Sequence, residues 1–126
     1  MKDTENPVIL VIDDSNTNVV LLEAILSGMG YFIETAMSVK EANQSMLKQL
    51  PDLILLDLLM PKDNGYDFLK EIKANEDTKH IPVLVISAVT DADNVRKTLS
   101  MGAADYIKKP VDIQTLVEKV KSILQK

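Results

Sequence analysis

Apolar runs and amphipathic stretches alternate five times along the chain. Each apolar run is short and bounded by turn-forming residues, which is typical of a buried parallel strand, and the amphipathic stretches repeat at helical spacing. This alternation predicts a doubly wound α/β sheet of five parallel strands. The pattern predicts strands near 7–12, 31–35, 52–57, 82–87 and 104–108, and helices near 15–29, 38–49, 64–75, 91–101 and 112–125.

Residues that favour helix ends support these boundaries. Gly28 and Gly30 close the first helical stretch, as C-terminal glycines commonly do. The run Ser38-Val39-Lys40-Glu41 is a capping box that opens the second helix. Asp91 and Asp112 fall where the N-caps of the last two helices belong. The last helix carries an apolar stripe that we expect to face the core: Ile113, Leu116, Val117, Val120, Ile123 and Leu124.

Composition excludes several classes of protein. At 126 residues the chain can bury the core of one domain. It stops where the fifth helix ends, so we expect a single domain over 1–126 without an output domain. The net charge of −5 argues against direct nucleic-acid binding. No apolar run reaches the ~20 residues that cross a membrane, and the polar N-terminus is no signal peptide. The absence of cysteine excludes disulfides and fits a cytoplasmic location.

Polar residues with complementary chemistry come at the ends of four predicted strands. A buried run ends at Asp57, and the residues at the other three strand ends are Asp13, Asp14, Ser87 and Lys109. The carboxyl ends of parallel strands meet at one edge of the sheet, which is where open α/β sheets bind ligands. Three acids, a hydroxyl and a lysine at that edge predict a site for a divalent cation and a phosphoryl group.

The adjacent acids Asp13 and Asp14 have two readings. Near Asp57 they would repel one another unless a cation lay among them, and oxygen ligands with room for water suit Mg²⁺. An Asp-Asp pair after a strand also caps helices, and Asp14 or Ser15 could do that alone. The matching residues at the other strand ends favour the metal site.

We interpret Asp57 as the nucleophile of a phosphoryl transfer, since a carboxylate can attack phosphorus to give an aspartyl phosphate. The charge that develops on the phosphoryl oxygens needs a cation, a hydroxyl donor and an ammonium. Mg²⁺, Ser87 and Lys109 would supply them. Judged alone, Ser87 would be a strand-end cap and Lys109 a surface lysine.

Together these residues closely resemble the response-regulator receiver domain of two-component signalling. The resemblance covers Val8 to Leu124, and no one of its motifs is decisive without the others. The motifs are Val11-Ile12-Asp13-Asp14, Leu55-Leu56-Asp57-Leu58-Leu59-Met60-Pro61 with Gly65, Val85-Ile86-Ser87-Ala88, and Gly102-Ala103-Ala104-Asp105-Tyr106-Ile107-Lys108-Lys109-Pro110.

The resemblance implies a flavodoxin-like sheet of order 2-1-3-4-5. It implies phosphotransfer to Asp57 from the phosphohistidine of a sensor histidine kinase or a phosphotransfer protein. Asp14, the Asp57 carboxylate and the backbone carbonyl of Leu59 would bind Mg²⁺ directly, and Asp13 would act through water.

The resemblance also assigns a switch. Ser87 would be the switch hydroxyl, Lys109 the lysine that pairs with the phosphoryl group, and Pro110 a cis proline, whereas Lys108 does not match the motif. Phosphorylation would draw Ser87 toward the phosphoryl group and let Tyr106 rotate inward. The fourth helix, fifth strand and fifth helix would then change their surface. Tyr106 also has a structural interpretation, as a half-buried strand aromatic.

The receiver reading implies a signalling protein that does not turn over a substrate. Its expected partners are the kinase and a downstream protein or a fused output domain, with a phosphorylation-dependent dimer as a further expectation. The alternative is a Mg²⁺-dependent aspartyl-phosphate phosphohydrolase, but such enzymes generally need an acid two residues past the nucleophile, where this chain has Leu59. A flavin carrier on the same fold is disfavoured, because Asp13-Asp14-Ser15-Asn16 would repel the flavin phosphate.

Overall fold

A computed structural model describes residues 6–60, 62–88 and 91–125. Five of its strands alternate with five helices along the chain, as the pattern predicts. The strands are β1 Val8–Ile12, β2 Phe32–Ala36, β3 Leu53–Asp57, β4 Leu59–Met60, β5 Asp63–Asn64, β6 Val83–Ser87 and β7 Asp105–Lys108. The helices are α1 Asn16–Ser27, α2 Val39–Lys48, α3 Gly65–Ala74, α4 Ala92–Ser100 and α5 Ile113–Leu124.

The main sheet has five parallel strands in the order β2-β1-β3-β6-β7. Counted over the five predicted strands this is 2-1-3-4-5, so the expected topology is confirmed. The short strands β4 and β5 were not predicted. They form a separate antiparallel pair in which Leu59 lies opposite Asn64 and Met60 opposite Asp63. Two-residue strands leave no periodic signal in a sequence.

Helices cover both faces of the sheet, which is why the central strands are apolar at every position except the last residue of β3 and of β6. All residues of β1, β3 and β6 are buried. One core cluster includes residues of α1 and α5, such as Leu26 and Leu116, and the other includes residues of α2 and α3, such as Ala42 and Phe68. Burial on both faces replaces the polar–apolar alternation of half-exposed strands with continuous apolar runs.

The capping residues predicted for the last two helices are confirmed. The Asp91 side chain accepts a hydrogen bond from the Asn94 N–H at the start of α4, and that of Asp112 accepts one from Thr115 at the start of α5. The predicted apolar stripe of α5 faces the core in part. Leu116 and Val120 are buried, and Ile123 and Leu124 pack against the same cluster, whereas Ile113 is 51% exposed.

The capping box of α2 is also confirmed. Ser38 Oγ accepts from the Glu41 N–H at 3.1 Å, and Glu41 Oε1 accepts from the Met37 N–H at 2.8 Å. At the other end of α1, Gly28 is the C-cap residue and Gly30 has a φ of 95°. Of the helices within 6–60, 62–88 and 91–125, none combines the length and apolarity that crossing a membrane requires.

Gly65 begins α3 against the backbone that carries Asp57. A Cβ at this position would lie 2.6 Å from Leu58 Cα and 2.9 Å from the carbonyl oxygen of Asp57. The Gly65 N–H donates to the Leu58 carbonyl at 3.3 Å. The start of α3 therefore approaches β3 more closely than a side chain would permit.

We expect Gly65→Ala to destabilise the protein by about 1–3 kcal/mol, the usual effect of forcing an extra carbon into a packed site. The free energy of unfolding in urea measures this. Gly28→Ala is the matched control, because its new Cβ would come no closer than 3.4 Å to a backbone atom and its φ is −65°. Equal stability of Gly65→Ala and the parent would show that a Cβ fits between the start of α3 and the backbone near Asp57.

Candidate functional site

Three of the predicted strand-end residues meet directly. Asp57 is the last residue of β3, Asp13 follows the last residue of β1, and Lys109 follows the last residue of β7. Lys109 Nζ lies 3.1 Å from Asp57 Oδ2 and 3.2 Å from Asp13 Oδ2. The two carboxylate side chains are 5% and 3% exposed and that of Lys109 is 21% exposed, so these ion pairs are largely shielded from water.

The register of β7 explains why Lys109 rather than Lys108 reaches the site. Lys108 lies opposite Ser87 in the parallel ladder and is exposed. The next residue continues past the strand end, with its N–H donating to the Ser87 carbonyl at 2.9 Å. The Lys109–Pro110 peptide bond is cis, the isomer that the resemblance implies.

The acidic residues are close enough to share a cation. Asp13, Asp14 and Asp57 each offer a carboxylate oxygen, and these oxygens lie within 4.8 Å of one another. Ser15 is the N-cap of α1, with its Oγ accepting from the Asn18 N–H, so capping does not explain Asp14. Three carboxylates beside the Lys109 ammonium form an oxygen-rich, net negative group, which is the donor chemistry that Mg²⁺ requires.

Hydrogen bonds hold Asp13 in place more firmly than the sequence indicates. Its Oδ1 accepts from the Ser15 N–H at 2.9 Å, and its Oδ2 accepts from Asn18 Nδ2 at 3.3 Å as well as from Lys109. Asn18 was missed by the sequence analysis. The available signal was its place in the first turn of the helix that follows the acidic pair, a position that can reach back to the strand end.

Burial and charge shift the protonation of the central pair. Burial raises the pKa of Asp57, as does the charge of Asp13, while the N–H of Leu59 and the ammonium of Lys109 oppose the rise. Burial alone lowers the pKa of Lys109, but its hydrogen bonds and ion pairs with Asp57 and Asp13 outweigh that effect and leave it raised. A buried carboxylate beside a second one is stabilised by any further positive charge.

The loop after β3 touches Asp57 through its backbone. The Leu59 N–H donates to Asp57 Oδ1 at 3.1 Å, and the Leu59 side chain points outward, since the residue is 52% exposed. Pro61 of the predicted motif lies outside the described residues. The apolar Leu59 side chain adds no proton-transfer group beside Asp57.

The predicted switch residues are bonded to each other. Ser87 ends β6 and is fully buried, and Tyr106 in β7 is 8% exposed. Burial raises the pKa of Tyr106, the hydrogen bond with Ser87 opposes this, and the charges of Tyr66, Asp91 and Asp57 add to it. Tyr106 is thus buried rather than half-buried.

Comparisons with known proteins agree with this geometry. The family model of the response regulator receiver domain matches residues 9–121. The response regulator PleD of Caulobacter vibrioides is 39% identical over 115 residues, which are 91% of this chain and 25% of PleD. The phosphate regulon transcriptional regulatory protein PhoB of Pseudomonas aeruginosa is 32% identical over 118 residues, 94% of this chain and 52% of PhoB.

Solved structures match over nearly the whole chain. A crystal structure of a response regulator from Chloroflexus aurantiacus has a TM-score of 0.89 at 36% identity and covers 97% of this chain and 100% of its own. The curated relatives are longer, and this chain spans from 25% to 52% of their lengths. With the strand-end acids and the lysine arranged as described, the chain belongs to the response regulator receiver domain family of two-component signalling.

Proposed function

We propose that this receiver domain accepts a phosphoryl group on Asp57 from the phosphohistidine of a sensor histidine kinase or a phosphotransfer protein. The observation that carries the proposal is the contact of Lys109 with Asp57 inside a group of three carboxylates. Among the described residues, this group combines a buried nucleophile, the Lys109 ammonium and carboxylate oxygens that could bind a metal ion.

Hydrogen bonds hold both carboxylate oxygens of Asp57 in place. The Leu59 N–H fixes Oδ1 and Lys109 Nζ pairs with Oδ2. A carboxylate oxygen of Asp57 forms the new bond to phosphorus as the phosphorus–nitrogen bond to the donor imidazole breaks, and the imidazole leaves with that electron pair. Lys109 then pairs with the oxygens of the transferred phosphoryl group, because its ammonium already contacts the carboxylate that receives this group.

The metal would be Mg²⁺, which when bound neutralises charge on the phosphoryl oxygens. Asp14, Asp57 and the Leu59 backbone carbonyl would hold it directly, and Asp13 would act through water. Both oxygens of Asp13 accept hydrogen bonds, from Ser15, Asn18 or Lys109, and these bonds fix its position beside the metal site. Metal ligands fixed by such outer bonds are preorganised.

The switch would work by exchange of a hydrogen bond. Ser87 bonds Tyr106 in the described structure, and a phosphoryl group on Asp57 would compete for the same hydroxyl. Tyr106 also lies within the electrostatic reach of Asp91, the N-cap of α4. We therefore propose that the surface changes on α4, β7 and α5, starting from the loss of the Ser87–Tyr106 bond, which would free Tyr106 to rotate.

The signalling role implies transient phosphorylation without turnover of a separate substrate. The partners would be a cytoplasmic kinase or phosphotransfer protein and a downstream protein or output domain, and phosphorylation would favour a dimer. The phosphohydrolase alternative is less well supported, because the exposed Leu59 side chain offers no acid or base where such an enzyme needs one.

Asp57 should be the sole phosphoacceptor. After treatment with a small phosphodonor and Mg²⁺, intact-mass measurement should show one added phosphoryl group on the parent and none on Asp57→Asn. Asp67→Asn is the control, because Asp67 is an exposed acid in the first turn of α3. Labelling that survives in Asp57→Asn would identify a different nucleophile.

Asp14→Ala should abolish Mg²⁺ binding, since a site with few protein ligands depends on each of them. We expect a loss greater than the roughly tenfold that removal of an outer-shell partner causes. Amide chemical shifts or calorimetry during a Mg²⁺ titration measure it, with Asp77→Ala, an exposed loop acid, as the control. An unchanged titration in Asp14→Ala would remove the metal assignment.

A beryllofluoride adduct, standing in for the phosphoryl group, should shift the amides of Ser87 to Asp91 and of Tyr106. The physical reason is the competition for the Ser87 hydroxyl. Tyr106→Phe, which lacks the phenolic partner, should reduce the change at Tyr106 and α4 relative to that at Ser87. If the largest shifts fall within residues 15–49 instead, the switch assignment is wrong.

A further inference from the structure

The loop between β3 and α3 is fastened to α3 by Asn64. This residue lies opposite Leu59 in the β4–β5 pair. Its Oδ1 accepts from the backbone N–H groups of Tyr66 at 2.9 Å and Asp67 at 3.2 Å, which makes it the N-cap of α3. One side of the loop is therefore fixed by an ordinary helix cap.

The preceding residue, Asp63, reaches in a different direction. Its Oδ2 accepts a hydrogen bond from the backbone N–H of Val39 at 3.0 Å, across 24 positions of sequence. Val39 is the first residue of α2, so its N–H has no carbonyl partner within the helix. A carboxylate at this end of a helix also interacts favourably with the helix dipole. Asp63 thus ties the loop to the start of a second helix.

The cap of α2 does not depend on Asp63. Ser38 is the N-cap and accepts from Glu41, and Glu41 accepts in turn from Met37. Asp63 is an additional acceptor that comes from a distant loop. The hydrogen bond consequently fixes the loop as much as it fixes the helix.

The loop that Asp63 holds is the one that borders the acidic site. Asp63 lies opposite Met60 in the β4–β5 pair, and the neighbouring Leu59 donates its N–H to Asp57 at 3.1 Å. A cavity of about 240 Å³ brings Asp63 and Asp14 to one lining, together with Met37, Ser38, Met60 and Lys62. A continuous set of contacts therefore runs from the start of α2 through Asp63 and the β4–β5 pair to Asp57.

We propose that Asp63 is a positioning residue for the metal site. Its hydrogen bond to Val39 holds the β4–β5 pair against α2, and this sets the position of the Leu59 backbone relative to Asp14 and Asp57. The inference rests on the proposed function, because it concerns a Mg²⁺ ion held by those three residues. Asp63 acts through its acceptor oxygen and touches neither the phosphoryl group nor the metal.

The first experiment compares Mg²⁺ affinity in Asp63→Ala and Asp63→Asn by titration of amide chemical shifts. We expect Asp63→Ala to weaken binding roughly tenfold, the lower end of the range for groups that orient metal ligands. Asp63→Asn keeps an acceptor oxygen at the same place, so it should restore most of the affinity. Equal losses in the two variants would mean that Asp63 acts by its charge, and the proposal would fail.

Ser38→Ala is the matched control for damage to α2. It removes another side-chain acceptor at the same helix end without removing the Asp63–Val39 hydrogen bond. We expect it to lower stability toward urea with Mg²⁺ affinity within about twofold of the parent, an interval well inside the tenfold effect of a positioning group. If Ser38→Ala weakens Mg²⁺ binding as much as Asp63→Ala does, the effect belongs to the helix and the proposal is wrong.

Linkage supplies a readout that a purely structural contact would not move. If the Asp63–Val39 bond favours Mg²⁺ binding, Mg²⁺ must favour that bond by the same factor. Hydrogen exchange at the Val39 amide should therefore slow when Mg²⁺ is added to the parent, and this response should be absent in Asp63→Ala. If the exchange rate of the Val39 amide in the parent does not change when Mg²⁺ is added, the proposal is wrong.

The same measurements separate the two levels of inference. A parent protein that binds no Mg²⁺, or takes up no phosphoryl group on Asp57, would remove the proposed function and this inference with it. A parent that binds Mg²⁺ and is phosphorylated, beside an Asp63→Ala variant with the same half-saturating Mg²⁺ concentration, would remove the inference alone. We expect the variant to need roughly tenfold more Mg²⁺ while reaching a similar phosphorylation rate at saturation.

Discussion

The rest of the site depends on the contact between a buried carboxylate, Asp57, and the Lys109 ammonium. Asp13 lies at the same ammonium and Asp14 offers a third carboxylate, so within the described residues the group is short of positive charge. Burial strengthens both the attraction and the repulsion. A buried ion pair is weak evidence for stability, because desolvation of its members offsets their attraction. We therefore interpret the shortage of positive charge as the property of a site that could bind a cation, and also an anionic group that pairs with the Lys109 ammonium.

The fold keeps these charges in place by means of apolar strands. β1 and β3 are buried along their whole lengths, so a shift of one residue in either strand would force side chains on both faces to repack in a close-packed core. Asp57 is therefore held at the carboxyl edge by the packing of the four apolar residues before it. Backbone N–H groups complete the arrangement, as with Leu59 on Asp57 and Ser15 on Asp13. Fixed dipoles of this kind lower the energy of the buried charge without moving.

The sequence predicted the elements whose signals are local. The three central strands, β1, β3 and β6, were found because four or five consecutive apolar residues are a strong pattern, and Asp91 and Asp112 were found because capping acts within one helical turn. Contacts between distant segments gave no such signal. The bond of Asp63 to Val39 and the burial of Tyr106 both depend on how elements pack. The choice between Asp14 and Ser15 as the cap of α1 likewise needed the backbone geometry, since either residue type can cap.

The contacts of Asp57 explain how one small group could alter several parts of the domain. Its Oδ1 is bonded to the loop that contains β4, and its Oδ2 to the lysine that follows β7. Its charge also reaches Tyr106, which bonds Ser87 at the end of β6. Each contact leads to a different element, and none can stay as it is once a carboxylate oxygen is bonded to phosphorus. A change at Asp57 must therefore be shared among these elements, which is the physical requirement for a chemical event at the strand edge to be read on the surface.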